Sequence, residues 1–387
     1  MKSIRKTFAD MDKVLLIFSI ILIIFGTLNI VTASSREAVS KNASSLYYFF
    51  FKHLVILMGS FIGSIILINL PTKKYYRWIL LVYGVILGLN LYLILKGVAN
   101  RGAQNWINLK VIKIQPSEFS KPVLIIALSL LFERFYKRLK RKDEKHDIMI
   151  WEILGFGLIF PVLIFLQKDL GTALISLFIF ISLFLSSPIS KEEKFKSSLI
   201  VIVIGIVGLF TMLSFTGYIL SDAQVSRFDF YNPCSKYTRN GYQVCNAFIA
   251  INNGGLTGVG IGKSTQKYSY IPEPHTDMVF SIISEENGFI VGILILIAYI
   301  VIIYRILKLS MKTNVIRNRY ICIGVASYMF AHILINLGGL LGLIPLTGVP
   351  LPFLSYGGSF TLSFICSLAI IQRIHIEMKN QKVKLRN

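Results

Sequence analysis

Asp277 closes the run Tyr270-Ile-Pro-Glu-Pro-His-Thr-Asp277, the far end of the longest polar stretch of the chain, immediately before a long apolar segment. A carboxylate at membrane depth costs roughly 2.5–3.5 kcal/mol on insertion scales, so it is kept there for a packing partner or for chemistry. Two readings stay open on the residues alone: Asp277 caps the helix that follows, or it takes a proton from a polar substrate. His275, two positions earlier, is a polar neighbour able to tune it. Arg101, Lys110, Lys113 and Lys168 lie in polar connections. They suit a polyanion such as a phosphate, and equally the solvation of a membrane interface. Glu118 and Lys121 are spaced i, i+3 on one helix face and fit a structural ion pair. Asp169 falls where a cap is needed, Glu286 reads as a structural or pathway acid, and His332 and Asn336 read as interhelical hydrogen-bonding groups. Trp106 is suited to a membrane boundary, where indoles anchor.

These residues need a scaffold, and the composition states its kind. The chain has 387 residues, 54% hydrophobic and 16% charged, with a mean hydropathy of +0.66. That lies outside the range of soluble domains. Apolar runs near 13–33, 48–70, 77–97, 117–134, 148–167, 170–188, 197–218, 277–304, 319–343 and 357–376 are long enough to cross a bilayer. They must be helical, because lipid leaves no solvent for an open sheet edge. The expectation is an all-α polytopic bundle of about ten transmembrane helices, one domain over 1–387, with a large loop at about 219–276 between the seventh and eighth. The first run lacks a small-residue cleavage site and reads as a retained helix.

The formal charge of +22 would suit nucleic acid, but its distribution points elsewhere. Lys and Arg concentrate at the N-terminus, in 71–77, 134–147, 188–196, 304–319 and the tail, while the alternate connections are poorer. The positive-inside rule places both termini in the cytoplasm and the 219–276 loop outside, and the surplus charge reads as orientation signal and lipid attraction. No nucleic-acid partner follows. Cys234 and Cys245 share the outward loop; on an oxidising face they form a bridge, or stay as two thiols. The glycines of Asn253-Gly-Gly-Leu-Thr-Gly-Val-Gly-Ile-Gly262 let backbone approach something closely, without the order of a dinucleotide fingerprint. Gly338–Gly358, rich in Gly and Pro, cannot be plain helix and needs shielding by protein or water.

Five motifs in order carry a resemblance: Trp106-Ile with Gln115-Pro-Ser-Glu-Phe-Ser-Lys121; Asp169-Leu-Gly-Thr172; Gly254-Gly-Leu-Thr-Gly-Val-Gly260; Pro272-Glu-Pro-His-Thr-Asp277; and Pro345-Leu-Thr-Gly-Val-Pro-Leu-Pro-Phe-Leu-Ser-Tyr-Gly-Gly-Ser359, which contains Ser355. With them the chain resembles the SEDS family of polytopic cell-wall polymerases, leaning to its FtsW-like division branch, with RodA-like elongation and sporulation roles open. The resemblance implies a peptidoglycan glycosyltransferase of the bacterial cytoplasmic membrane. It would extend glycan strands from lipid II at the outer face, beside a class B penicillin-binding protein and other divisome or elongasome proteins. It implies Asp277 as the base, Trp106 at the substrate groove, and the outward cations on the pyrophosphate. A divalent cation, Mg or Mn, bridging Asp277 and pyrophosphate is chemically reasonable, although no spacing demonstrates it. Asn105 stands where the family often has Arg, and Asn287 where it has a small or apolar residue. A lipid II flippase and a scaffold without chemistry are the competing functions; clustering of acids and broken backbone at one end disfavours alternating access.

Overall fold

Every one of the apolar runs is a helix in the computed structural model, which describes residues 7–40, 45, 47–96, 98–100, 103–109, 112–141, 146–216, 232–235 and 239–384. In chain order these are α1 (Lys13–Ser40), α2 (Tyr48–Asn69), α3 (Thr72–Lys96), α4 (Pro116–Lys140), α5 (His146–Leu166), α6 (Leu170–Ser186) and α7 (Lys191–Thr216). After α8 (Arg239–Gly254) and the single turn α9 (Gln266–Ser269), the long helices α10 (Val279–Lys312), α11 (Ile316–Leu340) and α12 (Ser359–Lys384) complete the bundle. Pro116 opens α4, where its missing N–H costs nothing.

Seven helices among the described residues are long and apolar enough to cross a membrane, and α6 is a shorter apolar helix. α4 is not among the seven because Glu118, Lys121, Glu133, Arg134, Lys137, Arg138 and Lys140 dilute its hydropathy. Glu118, Lys121 and Glu133 are buried because α4 is the axis of the molecule, packed against α3, α5, α6, α11 and α12, while Arg134, Lys137, Arg138 and Lys140 are exposed toward its C-terminal end. Leu124, Ile125, Leu128 and Phe132 of α4 are fully buried, together with Ile175 and Ile179 of α6 and Ile321 and Met329 of α11. Gly324 permits the α4–α11 approach, since a Cβ there would lie 2.6 Å from Ile125 Cγ2. α7 is the opposite case: Leu199, Ile200, Ile202, Val203, Ile204, Ile206 and Val207 are all exposed, as suits a helix surrounded by hydrocarbon.

The all-α expectation gains one small exception. The strands β1 (Val98–Asn100), β2 (Ala103–Leu109) and β3 (Ile112–Ile114) pair as a three-stranded antiparallel sheet, with Val98 opposite Trp106 and Ile107 opposite Ile114. It lies at the end of the bundle that carries Asp277. Ion pairs of the basic segments mark the other end: Asp12 with Arg305 at 2.7 Å, Glu133 with Arg317 at 3.1 Å, and Glu377 with Arg373 at 3.0 Å.

Candidate active site

Asp277 immediately precedes the N-cap of α10, which is Met278, and that helix has no side-chain cap. The capping account is thereby set aside. The carboxylate is half-buried. Its Oδ1 accepts from the Thr276 hydroxyl at 3.1 Å, and its Oδ2 faces the exposed Gly348, where a Cβ would stand 3.7 Å away. Gly348 has φ of 74°, a conformation open chiefly to glycine. The Asn336 amide donates to the backbone carbonyl of Asp277 and to that of Val349, both at 2.7 Å. The main chain of the acid is therefore tied to a second loop, and its half-buried side chain stands beside the exposed Gly348 of that loop.

That second loop, 345–358, is fixed from below by buried charge. His332 Nδ1 lies 3.1 Å from the carbonyl of Pro350. A carbonyl only accepts, so Nδ1 carries the proton and Nε2 accepts from Lys121 Nζ at 3.1 Å. The remaining Lys121 protons reach both oxygens of Glu118 at 2.8 Å. Lys121 and Glu118 are only 0% and 2% exposed, so each depends on the other for compensation. Further restraints come from Ser355, whose hydroxyl accepts from the Leu351 amide at 2.7 Å, and from Tyr299, which donates to Pro352 O at 2.6 Å. His332, read from sequence as an interhelical hydrogen-bonding group, makes that bond to Lys121 of α4 and also binds a loop carbonyl, whereas Asn336 binds the carbonyls of Asp277 and Val349.

Asp169 caps α6 by accepting from the Thr172 amide at 3.1 Å. Its other oxygen receives the side-chain amides of Asn105 at 2.6 Å and Gln115 at 3.0 Å. Gln115 N in turn donates to Ser359 at the start of α12. One residue into α6, Gly171 lets the helix meet the 345–358 loop, because a Cβ would approach Thr347 Cβ and Val349 Cγ2 to 2.8 Å. Trp106, half-buried on β2 beside Asn105, is brought to the same end through this Asp169 network. The departure at Asn105 is consequently a packing link to Asp169.

His275 is buried. Its Nδ1 is 3.3 Å from Glu37 Oε2, and its ring lies 4.6 Å from that of Phe49 and 5.4 Å from that of Tyr356. The Tyr356 amide donates to His275 O at 2.8 Å. Burial, with Tyr48 and Glu37 adding to it, pushes the Tyr356 phenol up to about 12, so it stays a neutral group at neutral pH. His275 therefore ties the Asp277 segment to α1 and α2.

Glu286 belongs to a separate cluster: it pairs with buried Lys267 at 2.7 Å. Beside it, Glu285, which the sequence reading passed over, accepts from the hydroxyl of Ser264 and from both the amide and hydroxyl of Thr265. The amides of Val259 and Gly260 donate to the carbonyls of Glu285 and Glu286, and Phe289 N donates to Gly255 O. The glycine run approaches α10 itself, at a kink where Gly288 has φ of 83°. Asn287 reaches from this kink toward Asn29 of α1 at 3.4 Å. The adjacency of two acids to Gly288 was the available signal for Glu285.

Of the candidate cations, Arg101 and Lys110 lie outside the described residues. Lys113 is exposed on β3 opposite Asn108, and Lys168 is exposed in the α5–α6 turn at φ of 64°. Cys234 and Cys245 are joined, with S–S 2.06 Å, holding the 3₁₀ turn Pro233–Ser235 to α8. Among the described residues, no three His, Cys, Asp or Glu side chains are grouped to hold a metal.

Comparison with known proteins places this geometry. The chain is 33% identical to the probable peptidoglycan glycosyltransferase FtsW of Bacillus subtilis (strain 168), over 95% of this chain and 92% of that protein. It is 29% identical to stage V sporulation protein E of the same organism, over 94% and 96%. Among solved structures, the rod shape determining protein RodA of Thermus thermophilus matches with a TM-score of 0.66 at 23% identity, covering 94% of this chain and 96% of that one. A chain from a peptidoglycan synthase complex, described as coordinating polymerization and crosslinking, matches with a TM-score of 0.71 at 21% identity over 95% and 98%. These two show the fold. A family model described as cell cycle protein matches residues 12–380, and with it the chain belongs to the FtsW/RodA/SpoVE family.

Proposed function

We propose that this chain is a peptidoglycan glycosyltransferase that polymerises lipid II, with Asp277 as the general base. The acceptor sugar hydroxyl attacks the anomeric carbon of the donor, and its proton passes to the Asp277 carboxylate. The bond from that carbon to the pyrophosphate oxygen breaks, and the electron pair leaves with undecaprenyl diphosphate. The observation that carries the reading is the Asp277 side chain: half-buried, in a segment where α10 has no side-chain cap, and set against an exposed glycine of a broken loop. Kinship with proteins named as glycosyltransferases supports the reaction type. The division branch is the reading adopted, on the strength of relatives named FtsW.

The basic segments at the end opposite Asp277 support an arrangement with both termini in the cytoplasm and the site outside. A class B penicillin-binding protein as partner is supported by likeness to a chain of a complex described as coordinating polymerization and crosslinking. A divalent cation would take Asp277 from the protein and its other ligands from substrate phosphates; chelation followed by Mg or Mn addition tests that requirement. Purified chain in vesicles, given labelled lipid II with and without the transpeptidase, should yield long glycan strands. Asp277→Asn should remain folded and lose about 10²–10⁴ in rate. Redistribution of lipid II without polymer would mark a flippase, and partner binding without either would mark a scaffold.

A further inference from the structure

We propose that Asn336 is a positioning residue for the reaction, acting through Asp277, with His332 one turn earlier as its companion. This rests on Asp277 being the base. α11 is clasped by α4, α6, α10 and α12, so its side chains are held by neighbours on several sides. His332 and Asn336 are spaced i, i+4 and share one face. From that face they hold consecutive carbonyls of the 345–358 loop, Pro350 by the imidazole and Val349 by the amide. The second proton of the Asn336 amide holds the carbonyl of Asp277. One side chain therefore sets the base relative to the loop whose Gly348 lies against its carboxylate.

Asn336 is 3% exposed, and its Oδ1 is buried with no hydrogen-bond partner among the described residues. An unsatisfied buried acceptor is a standing cost, and a leucine of nearly the same shape would remove it only by leaving the carbonyls of Asp277 and Val349 without their donor. Retaining the amide is understandable if what matters is where two carbonyls sit. Displacement of a catalytic group by about 1 Å can cost on the order of 10²-fold in rate.

The test is Asn336→Leu in the full-length protein, in vesicles with labelled lipid II and partner. The expected result is a kcat lowered about 10- to 100-fold, with KM nearly unchanged and the thermal midpoint lowered only modestly. In an Asp277→Asn background the same substitution should lower the residual rate no further. Amide hydrogen exchange should quicken in 272–278 and 345–352. An unchanged kcat, a loss that multiplies with that of Asp277→Asn, or unchanged exchange in both segments overturns the proposal. If Asn336→Leu does not fold, Asn336→Thr, which keeps one donor, carries the same measurements. Wild-type turnover by Asp277→Asn would instead remove the base assignment, and the exchange arm would still report whether Asn336 clasps the two segments.

Discussion

At the residue scale, the contrast between Asp277 and Lys121 shows how far type and spacing reach. The Glu118–Lys121 pair was legible because both members lie on one helix turn, and the observed bidentate contact at 2.8 Å is what i, i+3 spacing allows. The third partner, His332, was not, because it joins segments distant in sequence. Lys121→Met leaves the Glu118 carboxylate buried without its compensating charge and should cost about 3–5 kcal/mol. Glu118→Leu combined with Lys121→Met should restore much of that loss. Thermal unfolding in detergent checks both, and a double variant as unstable as the single one would contradict the pairing account. For Asp277 the residues alone favoured capping, and the family resemblance turned the reading to catalysis. Only the position of Met278 and the absence of a side-chain cap separate them.

The same scale makes Gly348 a sharper probe of the site than any cation. Its φ of 74° strains any L side chain, and its Cα hydrogens lie toward Asp277 Oδ2. Gly348→Ala should cost about 1 kcal/mol or more in stability and should also reduce polymerisation, because the loop it distorts is the one clasped to Asp277. Turnover at wild-type level with normal expression would show that the loop's proximity to the acid is incidental. Lys113 and Lys168 make weaker probes because both are exposed, and screening blunts such charges.

At the element scale, α4 and the 98–114 segment were the places where pattern reading fell short. Hydropathy found α4 but understated its role: its buried charges are compensated by His332 and Arg317 of α11 as well as within the helix, which no single-helix window can detect. The sheet was missed because its strands are short, and because lipid excludes open strands only within hydrocarbon. The glycine run was recognised as a close-approach element, and its target proved to be α10. Gly258 and Gly255 offer a controlled comparison there. Both have positive φ, at 81° and 50°, but a Cβ at Gly258 would overlap the Glu286 backbone whereas at Gly255 nothing lies within 4 Å. Gly258→Ala should therefore lower the thermal midpoint well beyond Gly255→Ala, which bears only the conformational cost of roughly 1 kcal/mol. Equal shifts would mean that the loop does not pack on the helix kink as described.

At the scale of the whole molecule, the fold separates two chemistries to opposite ends. One end gathers Asp277, Asp169, the broken loop and the disulfide-held α8; the other gathers Asp12–Arg305, Glu133–Arg317 and Glu377–Arg373. The ordering of helices was readable from hydropathy because that signal is set by the bilayer and needs no tertiary contact, and the proposed sidedness rests on Lys and Arg counts. A direct check places single cysteines at the two ends in a Cys366→Ser background. Pro272, exposed near Asp277, should as Pro272→Cys react with an impermeant maleimide added to intact cells. Lys379→Cys, whose native side chain is half exposed and pairs with Asp10 at 2.6 Å, should react only after permeabilisation. Labelling in the reverse order would put the Asp277 carboxylate on the cytoplasmic side, where a growing glycan strand has no place, and the polymerase reading would have to yield to one that moves the lipid-linked sugar instead.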